Sequence, residues 1–221
     1  MKKFWLLFAL LIGPLVFYLL ILLVDINATF LPVLNKNVVD VATVAPNQNI
    51  KFKNNITVVG FLGEDVLHKK TNALNINEKV YKPYYKFDTF QFVMISPIGT
   101  EEKVNQLKKE LGFSTDISKW NFIFISKEKI ELLYNSLKST KKLDANLYVS
   151  EVFIIDKDGW QRGRNDDEDT VDGKLYSYNA ESVSFIHKKM VDDIKIVLEE
   201  YRRALKKNKK KEVFKNPYKG K

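Results

Sequence analysis

Glu64 and His68 stand four residues apart in the stretch Phe61-Leu62-Gly63-Glu64-Asp65-Val66-Leu67-His68-Lys69. A helical turn would bring their side chains together. A carboxylate beside an imidazole can ligate zinc or copper(II), or move a proton as an acid–base pair. Two ligands make a weak site; the sequence obliges no third to be near, with Asp65 as a candidate. The competing reading is a solvated helix start with acidic residues at its positive end, and it is favoured. No catalytic residue, cofactor or metal is therefore expected, with Glu64 and His68 held as the metal candidates.

Two other places invite chemistry. His187 lies beside an apolar helical stripe with no serine, cysteine or carboxylate motif pointing to it, so it reads as a packing or surface residue. Asn165-Asp166-Asp167-Glu168-Asp169, followed by Asp172-Gly173, has the look of a calcium loop. Counting Asn165 as the first ligand puts Thr170 at the required glycine and Tyr176 at the required glutamate, so the pattern fails. An exposed acidic loop is expected instead. No P-loop, GxGxxG, HExxH or GxSxG motif is present.

The chain has 221 residues and no cysteine. That excludes disulfides, thiolate metal sites, thiol catalysis and a CxxC redox centre. With 45% hydrophobic and 29% charged residues it is neither disordered nor fibrous. The net charge of +9 is concentrated at one end, because residues 206–221 carry eight lysines against Glu212. Such a run is a solvated tail, or it attracts anionic lipid or an acidic partner.

The elements that would position these residues are legible from periodicity. Ile56–Leu62, Phe90–Ile95, Trp120–Ile125 and Glu151–Ile155 are short apolar, β-branched or aromatic runs that read as buried strands. Asp156-Lys157-Asp158-Gly159 then turns the chain into a hairpin with Trp160–Gly163. Helices are expected over Thr71–Lys86 (broken near Pro83), from a Thr100 cap to Gly112, over Lys127–Leu137, and from near Asn179 onward. The last places Val183, Ile186, Met190, Ile194, Val197, Tyr201 and Leu205 on one face. Alternating strands and helices closed by a hairpin imply an α/β fold, a thioredoxin-like sheet with helices on both faces and an inserted strand–helix unit.

Before that domain, Phe4–Val24 is a run of 21 uncharged residues. It would span about 31 Å as a helix, enough for a bilayer core. It is too long for a signal h-region, and Ile26-Asn27-Ala28 is a poor cleavage site. Lys2 and Lys3 precede the span and Asp25 follows it, which predicts a cytoplasmic N-terminus and an extracytoplasmic (periplasmic-side) domain. Nucleic acid is then disfavoured as a partner. The expected organisation is an anchor over 1–25, a tether over 26–50 with one short strand around Val38–Val44, a domain over 51–205 and a basic tail over 206–221.

Val58-Val59-Gly60-Phe61, Ser96-Pro97 with Thr100-Glu101, Trp120-Asn121-Phe122, and Phe153–Gly159 with Arg162-Gly163 together resemble the Sco/SenC family, over roughly residues 50–205. The resemblance implies a thioredoxin fold on one N-terminal membrane helix, and copper delivery during cytochrome oxidase assembly or action on thiols. That chemistry rests on a CxxxC after the first strand and a histidine before the hairpin. Glu64 and His68 fall near the two cysteine positions and Tyr148 near the histidine. With all three ligands replaced, copper and redox activity transfer to no residue here. The expectation is a non-catalytic membrane-tethered module that binds a membrane or periplasmic protein. The alternatives are a metal carrier or enzyme using Glu64 and His68, and a structural envelope protein.

Overall fold

The computed structural model describes residues 2–23 and 30–215. The chain runs α1 (Lys2–Leu23), β1 (Val33–Asn35), α2 (Val41–Val44), β2 (Ile56–Leu62), α3 (Lys70–Ile76), α4 (Lys82–Tyr84) and β3 (Phe90–Pro97). It continues α5 (Glu101–Gly112), β4 (Trp120–Ile125), α6 (Lys127–Ser136), β5 (Tyr148–Ile155), β6 (Gln161–Arg162), β7 (Tyr178–Asn179), α7 (Val183–Phe185) and α8 (Val191–Lys215).

The sheet order is β1-β6-β5-β2-β3-β4, with β7 also against β5. Strands β2, β3 and β4 are parallel neighbours, whereas β5 is antiparallel to β2 and to β6. A parallel β2–β3 pair flanked by the antiparallel β5–β6 hairpin is the thioredoxin-like core, and β4 with α6 is the inserted unit. The strands alternate as a sheet buried on both faces must. Val58, Phe92, Trp120 and Ile154 face α3, α5 and α8, while Val59, Val93, Ile123, Phe153 and Ile155 face α2 and α6. Tyr81, Phe92 and Trp120 meet at ring separations of 4.7–5.7 Å and fix the α3–α4 layer on the sheet.

Several expectations change at the level of elements. Of the expected tether, residues 26–29 lie outside the described residues, and from Leu31 onward the chain packs into the domain. The strand of this stretch is Val33–Asn35, paired with β6, rather than Val38–Val44. Val41–Val44 is instead a helical turn, because the Asp40 carboxylate accepts the N–H groups of Ala42, Phe52 and Lys53. Leu31, Val41, Val44 and Phe52 are buried in the two cores. The segment 70–84 is not broken at Pro83, which sits in the first turn of α4 where no N–H donor is needed. It loosens earlier, through a π-turn at Asn77–Tyr81. Thr100 precedes α5, but its hydroxyl donates to the Pro97 carbonyl at 2.7 Å and caps no helix N–H.

The last helix starts at Val183 rather than near Asn179, because Tyr178–Asn179 is committed to pairing with Val152 and Glu151. Ser182 caps it by accepting from the Phe185 N–H. A second π-turn, Ile186–Met190, precedes α8. Ile186, Met190, Ile194 and Val197 are buried as expected, whereas Val183 and Leu205 are exposed. The helix continues through Lys215, well into the expected tail.

The N-terminal run forms the single 22-residue helix α1, with Trp5, Phe8, Leu10, Leu11, Leu15 and Phe17 exposed. Among the described residues, no helix is long and apolar enough to cross a membrane. The anchor therefore rests on the sequence, in which Phe4–Val24 is uncharged.

Candidate functional site

Because β2, β3 and β4 are parallel and β5 is antiparallel, one end of the sheet gathers the loops after Leu62, Pro97 and Ile125 and the loop before Tyr148. Leu62 stands opposite Tyr148 in the ladder. Gly63 must be glycine, with φ at +65° and a Cβ that would lie 2.6 Å from the Asn146 carbonyl and 2.7 Å from the Tyr148 Cβ. The loop is then pinned on both sides. The Glu64 N–H donates to the Asn146 carbonyl at 2.8 Å, and Lys103 from α5 donates to the Glu64 carbonyl at 2.9 Å. Val66 anchors it in the core.

Glu64 and His68 are both exposed and are not paired with each other. The His68 imidazole instead meets Asp65 at 2.8 Å, three residues back, with 83% of its side chain exposed. Among the described residues, no group of three histidine, aspartate or glutamate side chains could hold a metal. Lys69 lies 5.2 Å above the Tyr148 ring and covers it from outside.

Tyr148 is the residue sequence reasoning placed near a missing histidine, and it fills the space beneath the loop. Its hydroxyl accepts from the Asn72 amide on α3. Burial, reinforced by the negative charge of Glu181, raises its pKa to about 12, with the Asn72 contact opposing. Asp144 holds the approach to Tyr148 by accepting the N–H groups of Asn146 and Tyr148, both at 2.9 Å, while Leu147 takes a φ of +62°. Beside Tyr148, a cavity of about 20 Å³ is lined by Gly60, Leu62, Asn72, Met94, Ser150 and Val152. That is room for about one water, not a substrate. Ser150 and Glu151 form a bulge with no partner on β2, since Gly60 pairs Val152 and Phe61 pairs Val149. Ile98, after β3 at the same end of the sheet, is 67% exposed.

The other sequence candidates lie elsewhere. His187 is exposed on the second π-turn. The acidic loop is not simply exposed, because Asp167 is buried against Lys189 at 2.6 Å, which also meets Asp169 at 2.7 Å. A bridge between Arg164 and Leu175 closes this loop at its base. Nearby, Asp193 accepts from Arg164 and from the buried Tyr178 hydroxyl, and burial holds its pKa above the usual carboxylate value. These networks join residues 15–29 positions apart, so no local motif announces them.

No family model matches the chain, and no curated protein matches it. Solved structures similar to it include a Bacteroides thiol:disulfide interchange protein, at 14% identity and TM-score 0.39, covering 60% of this chain and 78% of that one. Bradyrhizobium japonicum ScoI with copper bound is similar at 15% identity and TM-score 0.38, covering 67% and 90%. A Bacteroides thetaiotaomicron protein assigned to the disulfide isomerases reaches TM-score 0.49 at 11% identity, covering 80% and 98%. At these values these structures carry no argument about activity, and the thioredoxin-like fold stands on the strand order described above.

Proposed function

We propose that this protein is a membrane-tethered, Sco-like thioredoxin-fold module that works by binding another protein and not by thiol or copper(I) chemistry. The carrying observation is the end of the sheet at Gly63–Lys69. There the space under the loop is occupied by the Tyr148–Asn72 pair, and the chain holds no cysteine anywhere. Thiolate chemistry by any residue of this chain is thereby excluded. What remains at that end is a rigidly held surface of Glu64, His68, Lys69 and Ile98, suited to recognition. The tether in this reading is α1, supported by the uncharged run Phe4–Val24, by exposed apolar side chains within it and by the two lysines before that run. The same charge bias favours an extracytoplasmic domain and a membrane or periplasmic partner. A place in respiratory-complex assembly is what the Sco resemblance adds.

A photo-crosslinking residue replacing Glu64, in the full chain in its native membranes, tests the reading. One discrete adduct with a membrane or periplasmic protein is expected, absent when the probe stands at the distant, exposed Val171. Equal or absent crosslinking from both positions would contradict it. A reporter fused after Lys221 should be active on the extracytoplasmic side.

A further inference from the structure

Arg162 on β6 is almost wholly buried and holds three groups at once. Its Nε donates to the Leu31 carbonyl at 2.7 Å, one terminal nitrogen meets Asp156 at 2.9 Å, and the other meets Glu200 at 2.6 Å. Burial works against the charged guanidinium, yet the two carboxylates hold its pKa above the ordinary value. One side chain thus fastens the point where the chain arrives from α1 to the point where α8 leaves the domain. Leu31 is eight residues from Leu23, the end of α1, so the connection reaches at most roughly 28 Å fully extended.

Beyond that point Tyr201 still packs partly against the core. Among the described side chains of α8, Leu198 is the last buried one, and Arg202 to Leu205 are exposed. The helical backbone runs on from Arg202 to Lys215, about 21 Å at 1.5 Å per residue. This stretch holds Arg202, Arg203 and six lysines against the single Glu212. The carboxylate meeting Arg202 and Arg203 is Glu199, one charge shared between two guanidinium groups.

We infer that the basic end of α8 is a second membrane contact, binding anionic phospholipid headgroups beside the bilayer that α1 enters. This rests on α1 being a membrane anchor, as proposed above. The choice of lipid over an acidic protein follows from geometry: Arg162 roots the basic rod beside the tethered end of the domain, within reach of the headgroup layer. Each basic residue near an anionic surface strengthens binding about fivefold, and the attraction is screened within a Debye length. The contact would fix how the domain stands on the membrane, and so which way the Gly63–Lys69 end points.

The test uses the full chain. Flotation with phosphatidylcholine vesicles in 1 M salt comes first, and failure there would refute the anchor itself. Hydrogen exchange of residues 202–215 is then compared in phosphatidylcholine nanodiscs and in discs containing phosphatidylglycerol. Exchange at least tenfold slower in the anionic discs is expected, with the difference lost in 0.5 M salt and in the variant K206Q/K207Q/K209Q/K210Q/K211Q. Inorganic phosphate added to phosphatidylcholine discs should not reproduce it. Equal exchange in both discs, in a chain that floats, would overturn the lipid contact and leave the anchor standing, as would slowing by phosphate alone. An acidic protein as the true occupant would give that same equality.

Discussion

Gly63→Ala tests how tightly the loop is seated on Tyr148. The substitution places a Cβ on a residue with φ of +65°, which costs an L-residue about 1–2 kcal/mol. The added carbon would lie 2.6 Å from the Asn146 carbonyl and 2.9 Å from the Tyr148 N–H nitrogen, both backbone atoms. Neither can turn aside, since Asp144 holds the Asn146 and Tyr148 amides in place. Overpacking of this kind adds about 1–3 kcal/mol, so the total is about 3 kcal/mol. With a urea slope of about 2–3 kcal/mol per molar, the unfolding midpoint should fall by between about 1 and 1.5 M. Urea unfolding of the full chain in a mild non-ionic detergent, followed by tryptophan fluorescence, measures it. A shift below about 0.3 M would refute the tight approach of the loop to Asn146 and Tyr148.

Gly159→Val isolates the conformational part, because φ there is +81° but a Cβ would meet nothing within 4 Å. It should destabilise by about 1–2 kcal/mol, less than Gly63→Ala, in the same unfolding experiment. Tyr148 keeps its proton in the folded state up to about 12, whereas an unfolded tyrosine releases it near its ordinary value of 10. The contribution of Tyr148 to stability should therefore fall as pH rises from 10 to 12 and stay constant below 10. Tyr148→Phe should reduce that fall, while losing about 1 kcal/mol at neutral pH with the Asn72 contact, read from midpoints at pH 7 and 11. Copper(I) should be lost to a chelator of ordinary strength, since Met94 and Met190 are 1% and 0% exposed and no thiolate exists. Retention of one copper(I) per chain under competition would contradict this.

Strands β2 to β5 are legible because each is a short, largely apolar run that the fold buries, and the Asp-Gly turn marks the hairpin. Val104, Leu107 and Leu111 showed their helix face for the same reason, a period that packing enforces. What the sequence hid depends on distance along the chain. Tyr148 and Asn72 are 76 residues apart, and Arg162 lies 131 residues from the carbonyl it holds. The short β1 was missed because Val33–Asn35 is set by pairing with β6 and carries no pattern of its own. The spacing of Glu64 and His68 was visible, but the loop gives His68 to Asp65 instead.

In the proposed function, this end of the sheet recognises a partner without chemistry at Glu64 or His68. Complementation of a deletion strain by E64A/H68A tests it most directly, with urea unfolding run alongside. Both side chains are exposed, so stability should change by no more than about 0.5 kcal/mol for each substitution. The double variant should fold normally and complement. A double variant that folds normally and fails to complement would contradict the proposed function, and would make this loop an active or metal-carrying site.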